Sequence, residues 1–579
     1  MDNKNVKILN AYERNGKLTL LKLKEYLPAM IVTNLSALLL ITVDGVVVGN
    51  FAGEKAFSSV SLFSPITLII GVISTLVSIG ISTCMSTSMG GNDKSDINRV
   101  KGASFWLMIY MTIFVAVAQI PVIWIFIKAY GLSGEMYSLT WQYAIGLMIS
   151  FPFGFISTVG TIELQITGKM KMLMKLSIME GIINLVLDLL FVGAFKMGVA
   201  GAGYGTACAN VARCSVTVLF LCKYTDIYHH KGYKKKVSDY IEILRYGVPE
   251  ALDALISALE GYILVKIMLS VFGEDAGTIN GVCIFCGSLA NVLIGGITGS
   301  MRPMVGLLAG AGDKKGLNTV MNQGKKVSIA LIGGAIALML IIPQVLYSMN
   351  GVKDIPNYGI ASVRFRAVSY MFVAFNALLR LYLVSRKDAK YTAKTVLFTD
   401  LSLPVFAYIL AKILPPPFIY LSYSLSFCLT FIFYYKRYLW WREQDRIQLE
   451  NTPDEVVLYM SVDPENAVYA SRELRKYADE LGIDVKISYR IALCMEEMVA
   501  YANAVNDKGI SVQVMIRFEG KNKATFVVMD NGKCIALDKK EGSARGVITD
   551  NYVLLQKSAK SIEYQYVLDL NYTILNFTA

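Results

Sequence analysis

Long apolar stretches separated by short polar loops fill the first 435 residues of the chain. Each stretch is about 20 residues long, which is the length an α-helix needs to cross the hydrocarbon core of a bilayer. We therefore predict twelve transmembrane helices. They begin near positions 28, 59, 104, 137, 174, 199, 246, 278, 327, 363, 395 and 416.

A different pattern follows position 436, where apolar and polar residues alternate over shorter segments. Alternation with a period of two is typical of strands, and a period of 3.6 is typical of amphipathic helices. The predicted fold is a polytopic all-α membrane protein of twelve helices followed by a C-terminal α/β sandwich. The predicted elements of the sandwich are a strand at 456–460, helices at 466–481 and 485–505, strands at 511–518 and 524–530, and a strand pair over 561–577 that turns near Leu570 and Asn571.

The composition supports a membrane protein. Of 579 residues, 54% are hydrophobic and 17% are charged, and the mean hydropathy is +0.49, which is too apolar for an ordinary soluble protein. The net charge of +12 is spread over many loops, so a nucleic-acid partner is not expected. Residues 1–26 are polar and basic and lack a secretory signal. Because the chain has two histidines, and Cys283 and Cys286 lie in an apolar run, we predict no metal site.

Lysine and arginine are concentrated in alternate loops. The loops at 91–102, 168–175, 223–246, 312–326 and 386–394 hold 3, 3, 6, 4 and 4 of these residues, whereas each loop between them holds one at most. Loops rich in Lys and Arg remain on the cytoplasmic side of a membrane. We therefore expect a multi-pass protein of the inner (cytoplasmic) membrane with both termini in the cytoplasm.

An internal repeat divides the apolar region. The hexapeptide Met-Gly-Gly-Asn-Asp-Lys at 89–94 returns as Ala-Gly-Ala-Gly-Asp-Lys at 309–314, an offset of 220 positions. Two halves related in this way and enclosing a central cavity are typical of alternating-access transporters. The predicted boundaries are a cytoplasmic segment at 1–26, six-helix lobes at 27–222 and 241–435 with a basic linker at 223–240, an interfacial linker at 436–454 and a cytoplasmic domain at 455–579.

Three polar side chains, Glu180, Asn184 and Asp188, recur at four-residue spacing in the fifth apolar stretch and fall on one helical face. A charge at the bilayer centre costs about 2.5 to 3.5 kcal/mol on insertion scales, so it normally faces protein or water and marks an ion or substrate path. Asp188, with an amide one turn before it, offers oxygen ligands to a cation or a proton-accepting carboxylate. Asp44 is a similar carboxylate in the first stretch. Glu180, nearer the cytoplasmic end, is the weakest candidate, and its alternative is simple solvation. The alternative for Asp44 is a structural cap or interhelical hydrogen bond, and for Asn184 with Asp188 it is a helix-packing hydrogen bond.

The second half carries fewer signals. Asp253 and Glu260 are seven positions apart on one face of the seventh stretch and are weak candidates for cation or substrate binding. The tenth stretch contains Arg364, Arg366 and Arg380, which is unusual for a cavity that would accept cationic compounds.

The region from about 20 to 435 resembles the multidrug and toxic compound extrusion (MATE) family, a group of cation-coupled antiporters. The matching residues are Asp44-Gly45 with Gly49, the loop at 90–94, Asn184 with Asp188, the glycine-rich segment 198–206 and the loop at 310–313. Their order and spacing, rather than any single motif, carry the resemblance. It implies that the cluster of Asp44, Asn184, Asp188 and Thr206 binds H⁺ or Na⁺.

The region 455–577 resembles the ATPase domain of anti-sigma-factor kinases and histidine kinases. The matching residues are Glu496 and Glu497 in a helix, Asp530-Asn531-Gly532 after a strand, Arg545-Gly546-Val547 and Asn571. The resemblance implies a nucleotide site formed by Glu497, Asp530, Gly532 and Gly546, with ATP and Mg²⁺ as possible ligands. Tyr501 replaces the asparagine that holds magnesium in that family, so we expect nucleotide or regulatory binding without turnover. An active kinase and a purely structural domain are the alternatives.

These observations predict a secondary transporter, not an enzyme, that exports small organic, drug-like compounds in exchange for H⁺ or Na⁺. The chain has no phosphate-loop motif, so ATP is not expected to drive transport. The expected partners are the transported small molecule, membrane lipids and a cytoplasmic protein that binds the C-terminal domain. Two alternatives remain open, namely a lipid-linked saccharide flippase of the same superfamily and a membrane signalling protein that acts through the kinase-like domain.

Overall fold

The computed structural model describes residues 16–224, 233–451, 455–505, 510–534, 555 and 557–579. The helices of the apolar region are Lys17–Ala52 (α1), Glu54–Leu62 (α2), Ser64–Gly91 (α3), Lys94–Ala129 (α4), Gly134–Ile166 (α5), Met170–Asp188 (α6), Val199–Tyr224 (α7), Val237–Phe272 (α8), Ala276–Gly310 (α9), Lys314–Ile341 (α10), Pro343–Met349 (α11), Gly359–Ser385 (α12), Ala389–Ile413 (α13) and Leu421–Asn451 (α14).

The prediction of a polytopic helical protein is confirmed. Within the described residues, eleven stretches are long and apolar enough to cross a membrane, judged by length and composition. One of them, Val237–Gly310, contains both α8 and α9, so the spanning helices number twelve. Ten of them begin at or up to 13 residues before the predicted starts, whereas α3 and α14 begin five residues after theirs. The largest differences arise at basic ends such as Lys314, because helices continue beyond the apolar segment into polar sequence.

The two copies of the internal repeat meet at the interface between the N-lobe (α1–α7) and the C-lobe (α8–α14). A Cβ atom built on Gly90 would lie 2.0 Å from the carbonyl oxygen of Leu307, and one built on Gly310 would lie 1.9 Å from that of Thr87. The two contacts are equivalent, because the 220-position offset of the repeat relates Gly90 to Gly310 and Thr87 to Leu307. Since neither position has room for a side chain, the backbones of α3 and α9 touch, and the lobes are closed at this end of the bundle.

The C-terminal region folds as a five-stranded antiparallel sheet with two helices. The strands are Glu455–Val462 (β1), Val512–Glu519 (β2), Lys523–Asp530 (β3), Ser561–Val567 (β4) and Leu570–Thr578 (β5), and the helices are Ala467–Glu480 (α15) and Val485–Val505 (α16). The strand order is β1-β2-β3-β5-β4. The predicted element order is confirmed, but the final turn falls at Leu568 and Asp569, which both have positive φ, two residues before the predicted turn.

The sheet is buried on both faces. Val514, Ile516 and Phe526 pack with α15 and α16 in the core of the domain. The alternate side chains, including Met515 and Val527, join the apolar core of the helical bundle. Successive strand residues point to opposite faces, so this alternation docks the outer face of the sheet directly onto the bundle.

The helices extend into two segments that were predicted to lie outside them, the N-terminal segment and the interfacial linker. Helix α1 begins at Lys17, inside the predicted N-terminal segment, and α14 continues to Asn451, through most of the predicted interfacial linker. The start of α1 contacts the C-terminal domain through Lys22 and Asp569, and the end of α14 faces the domain across a cavity.

Candidate functional site

A buried polar cluster, which we call the N-lobe cluster, forms around Asp44. One carboxylate oxygen of Asp44 accepts hydrogen bonds from the Thr206 hydroxyl at 2.9 Å and the Tyr143 hydroxyl at 3.2 Å. The other oxygen accepts one from the Asn184 amide at 3.2 Å. The N-lobe cluster consists of Asp44, Tyr143, Asn184, Asp188 and Thr206, each at most 6% exposed.

Asp188 brings a second carboxyl group into the same cluster. It is fully buried, and its carboxyl group lies beside that of Asp44. Neither oxygen of Asp188 has a hydrogen-bond donor among the described residues, and neither does the side-chain oxygen of Asn184. Two carboxylates and an amide oxygen therefore converge without enough donors. A proton or a hard cation is the group that such oxygens bind.

Glycine positions explain how four helices can bring these side chains together. A Cβ atom on Gly205 would lie 2.2 Å from a carboxylate oxygen of Asp188, so only glycine leaves room for that carboxyl group beside α7. The Cα and carbonyl carbon of Gly203 would lie within 2.6 Å of a Cβ on Gly146, so the backbones of α5 and α7 touch. This contact places Tyr143 at the cluster.

A π-helical segment, Leu189–Ala194, follows Asp188 directly. Single π-helical turns inside longer helices are rare and are frequent at functional sites. Here the segment changes the helical register immediately after the acidic residue, so the side chains that follow do not continue the face of Asn184 and Asp188.

The structure joins four of the predicted N-lobe residues and separates the fifth. Asp44, Asn184, Asp188 and Thr206 lie together, whereas the Glu180 carboxylate pairs with the Arg213 guanidinium at 2.5 Å. Sequence reasoning missed Tyr143, because a tyrosine in an apolar helix is indistinguishable from a packing residue. The one signal in the sequence is that Tyr143 lies three positions before Gly146, a glycine at which another helix can approach closely.

The weak candidates of the C-lobe lie in a separate charged network. The Arg380 guanidinium contacts Asp253 at 2.9 Å and Glu250 at 3.9 Å, and Arg302 contacts Glu250 at 3.2 Å. The carboxylate of Asp253 therefore already has a positively charged side chain as its partner. This pairing accounts for the unusual Arg380 within an apolar helix, since a buried charge needs a partner.

Glu260 and a residue that the sequence analysis missed, Asp400, are two further buried acids of this lobe, at 8% and 4% exposure. Arg366 lies in the electrostatic environment of Glu260, and its guanidinium stacks 3.3 Å above the ring of Tyr423. Asp400 could have been found by the criterion that selected Asp44, a lone carboxylate in an apolar helix. Arg364 instead is exposed and bonds the Leu340 carbonyl.

The predicted nucleotide site of the C-terminal domain is partly described. Asp530 ends β3, and one of its oxygens accepts hydrogen bonds from the backbone N–H of Gly532 at 2.8 Å and the Asn571 amide at 2.7 Å. Burial raises the pKa of the Asp530 carboxyl, although these hydrogen bonds act in the opposite direction. Glu497 is half-buried on α16. Gly546 lies outside the described residues.

The domain is attached to the N-lobe through the β4–β5 turn. The Tyr26 hydroxyl donates to the carbonyl of Leu568 at 2.5 Å, and the Leu568 N–H donates to the carbonyl of Ile166 at 2.8 Å. Lys22 forms an ion pair with Asp569 at 3.3 Å. Burial alone would raise the pKa of Asp569, but hydrogen bonds and the charge of Lys22 hold it below its usual range.

The same domain also contacts the repeat loops at which the lobes meet. The Tyr572 hydroxyl donates to the carbonyl of Gly90 in the N-lobe at 2.9 Å. On the other side, a Cβ atom on Gly312 in the C-lobe would lie 2.9 Å from the Arg517 guanidinium. One rigid sheet therefore bridges the two lobes at their closed end.

Known proteins share parts of this sequence and architecture. Residues 29–190 match the MatE family model. The multidrug export protein MepA of Staphylococcus aureus (strain bovine RF122 / ET3-1) is 25% identical over 289 residues, which are 48% of this chain and 62% of MepA. The chain thus spans less than two thirds of the length of the curated relatives it matches.

Solved structures extend the similarity to both lobes. A MATE transporter crystallised with MaL6 superposes with a TM-score of 0.67 at 19% identity and covers 75% of this chain and 98% of that one. A Pyrococcus furiosus transporter of the MOP superfamily, described as having a binding pocket of reverse polarity, gives 0.67 at 21% identity, with 78% and 99% covered. The helical region therefore has the MATE transporter fold.

Proposed function

We propose that this protein is a secondary transporter that exports small organic compounds in exchange for H⁺ or Na⁺. The observation that supports this proposal most directly is the N-lobe cluster. It holds two buried carboxyl groups side by side, with three oxygens that lack donors among the described residues. Occupation by a cation would satisfy these oxygens, and loss of the cation would leave two adjacent buried charges.

This difference between the occupied and the empty cluster would couple cation binding to the movement of the lobes. The three helices that meet at Asp44, Asn184 and Thr206 belong to one lobe, so cation binding changes how tightly they pack. A ligand shifts a conformational equilibrium by its difference in affinity for the two states. Each unit charge moved through the membrane potential supplies about 2.3 kcal/mol per 100 mV. Alternating access would then exchange cation for substrate.

The name of the related protein MepA indicates a class of substrate. MepA is named a multidrug export protein, so we propose drug-like organic compounds as substrates here. A lipid-linked saccharide flippase would need cationic side chains facing the substrate. Arg380 is instead paired with acids, Arg364 is bonded to a backbone carbonyl, and Arg366 is stacked on the ring of Tyr423. These contacts favour the exporter.

We further propose that the C-terminal domain regulates transport by clamping the lobes. It is bonded to Ile166 and Gly90 in the N-lobe and lies against Gly312 in the C-lobe. Opening this end of the bundle requires Gly90 and Gly310 to separate, so the domain must first release one lobe. Nucleotide binding at Asp530, or binding of a cytoplasmic protein, would bias that release without turnover of ATP.

Gradient-driven export from sealed vesicles tests the proposed transport. The purified chain is reconstituted, loaded with a fluorescent organic cation, and exposed to a proton or a sodium gradient imposed separately. We expect export in one of the two gradients and none without a gradient. Equal export with and without both gradients would contradict cation coupling.

A further inference from the structure

A large cavity lies between the C-lobe and the outer face of the sheet. Its volume is about 1330 Å³. One wall is formed by the start of α10 and the final turns of α14, and the other by Val457 and Tyr459 of β1 with Arg517 and Glu519 of β2. It is separate from the N-lobe cluster and from Asp530, and we call it the basic cavity.

The lining of the basic cavity is strongly cationic. It includes seven lysine or arginine side chains and three acids. Asp445 is already bound by Arg386 at 2.6 Å and Lys314 at 3.4 Å, and Glu443 by Arg446 at 2.6 Å. Counted over the lining residues, the formal charge of the cavity wall is therefore +4. The cationic residues are Lys314, Lys315, Arg386, Lys436, Arg442, Arg446 and Arg517.

Donor geometry adds a second, independent observation. Arg386 uses one terminal nitrogen for Asp445, but its Nε is buried and has no acceptor among the described residues. The guanidinium also lies 4.7 Å from the ring centre of Trp441, which fixes its plane. An oriented arginine with an unused donor is suited to the oxygens of a phosphate group.

We propose that the basic cavity binds a polyanionic ligand that carries phosphate groups. Its volume exceeds the range of roughly 300 to 1,000 Å³ that drug-sized ligands occupy, so several phosphates would fit. The exposed Trp440 offers a ring face for stacking. Both a soluble polyphosphate compound and the headgroup of an anionic lipid present this chemistry.

The binding step is independent of the proposed transport, although its consequence rests on the proposed clamp. The ligand would touch α10 and α14 on one side and β1 and β2 on the other, so the complete site exists only when the domain is docked. A ligand that binds one state alone shifts the equilibrium by its degree of saturation. At a concentration of about 100 Kd, the docked state would be favoured about 100-fold.

Binding of inorganic triphosphate to the full chain in zwitterionic nanodiscs tests the site. We expect the variant Lys436→Gln with Arg442→Gln to weaken binding at least tenfold, because neither side chain pairs with an acid in the described structure. Lys476→Gln, an exposed lysine on α15, is the matched control and should leave the affinity unchanged. Asp530→Asn should also leave it unchanged, since triphosphate has no base to recognise.

Two further measurements distinguish a soluble polyphosphate ligand from a lipid headgroup, and both use the protein without substitutions. In the unmodified protein, triphosphate should protect Lys436 from amine-reactive labelling but not Lys476. In nanodiscs with anionic lipid, protection of Lys436 without triphosphate would identify the headgroup as the ligand. Labelling of Lys436 that neither triphosphate nor anionic lipid changes, or triphosphate binding lost only in Asp530→Asn, would overturn the proposal.

Discussion

Tyr26 is the residue through which the clamp can be weakened with least disturbance. Its ring is fully buried, and its hydroxyl donates to the carbonyl of Leu568 in the β4–β5 turn, 542 positions away in the chain. Tyr26→Phe keeps the ring and removes the hydroxyl. The change therefore targets the bond between the domain and the N-lobe while the packing of α1 is retained.

The expected loss of docking free energy can be estimated from the burial of the acceptor, the carbonyl of Leu568. Removing one partner of a buried hydrogen bond leaves the other unsatisfied and costs about 1–3 kcal/mol. The Leu568 carbonyl belongs to a buried residue, and in the undocked state water would satisfy it. The cost therefore applies to docking, and it corresponds to a decrease of about 5- to 150-fold in the docking equilibrium.

Hydrogen exchange of the full chain measures this equilibrium. The backbone N–H of Leu568 donates to Ile166 only while the domain is docked, so its exchange should accelerate about 5- to 150-fold in Tyr26→Phe. Tyr469→Phe, at a 64% exposed position on α15, is the matched control and should not change it. Unchanged exchange at Leu568 in Tyr26→Phe would refute the docking argument.

Three further predictions concern glycines and the domain core. Gly205→Ala should reduce gradient-driven export as strongly as loss of the Asp188 carboxylate, because the added Cβ atom would lie 2.2 Å from that carboxylate. The control is Gly181→Ala on α6, where a Cβ atom would meet open space, and this variant should export normally. Gly310→Ala should prevent closure of the lobes next to the sheet, and the distance distribution between spin labels on the two lobes should lengthen there. Because burial raises the pKa of Asp530, the folded domain binds the proton more tightly than the unfolded chain. Domain stability should therefore fall as the pH rises from 3.8 through the raised value, and calorimetry of Asp530→Asn should show a flatter dependence.

Much of the fold could be predicted because the relevant signals are local. Apolar length located the twelve spanning helices, and alternation located the strands. The repeat at 89–94 and 309–314 predicted that the two halves correspond, and the structure shows these segments touching through Gly90 and Gly310. Helix ends were less predictable, since α1 and α14 continue through polar sequence that the docked domain covers.

The docking of the domain could not be predicted, because its contacts join residues far apart in the chain. One sequence signal did exist. In β2 and β3, apolar residues such as Val514, Met515 and Val527 occupy both alternating positions, a pattern typical of strands buried on both faces. The sequence did not reveal what covers the second face.

The candidate site was predictable in part for a similar reason. Spacing alone joined Asn184 and Asp188, because both lie on one helix. The addition of Thr206 came from the resemblance to a family, and Tyr143 was missed because it reaches Asp44 only through the close contact of α5 with α7. The N-lobe cluster is thus a product of packing as much as of sequence pattern.

The most direct test of the account is gradient-driven export by Asp188→Asn, measured beside Asp400→Asn. Both residues are buried acids, at 0% and 4% exposure, but they lie in different lobes. If the N-lobe cluster couples export to the cation, Asp188→Asn loses the dependence of export on the cation gradient, whereas Asp400→Asn retains it. Full gradient-dependent export by Asp188→Asn would contradict the assignment of cation coupling to the N-lobe cluster.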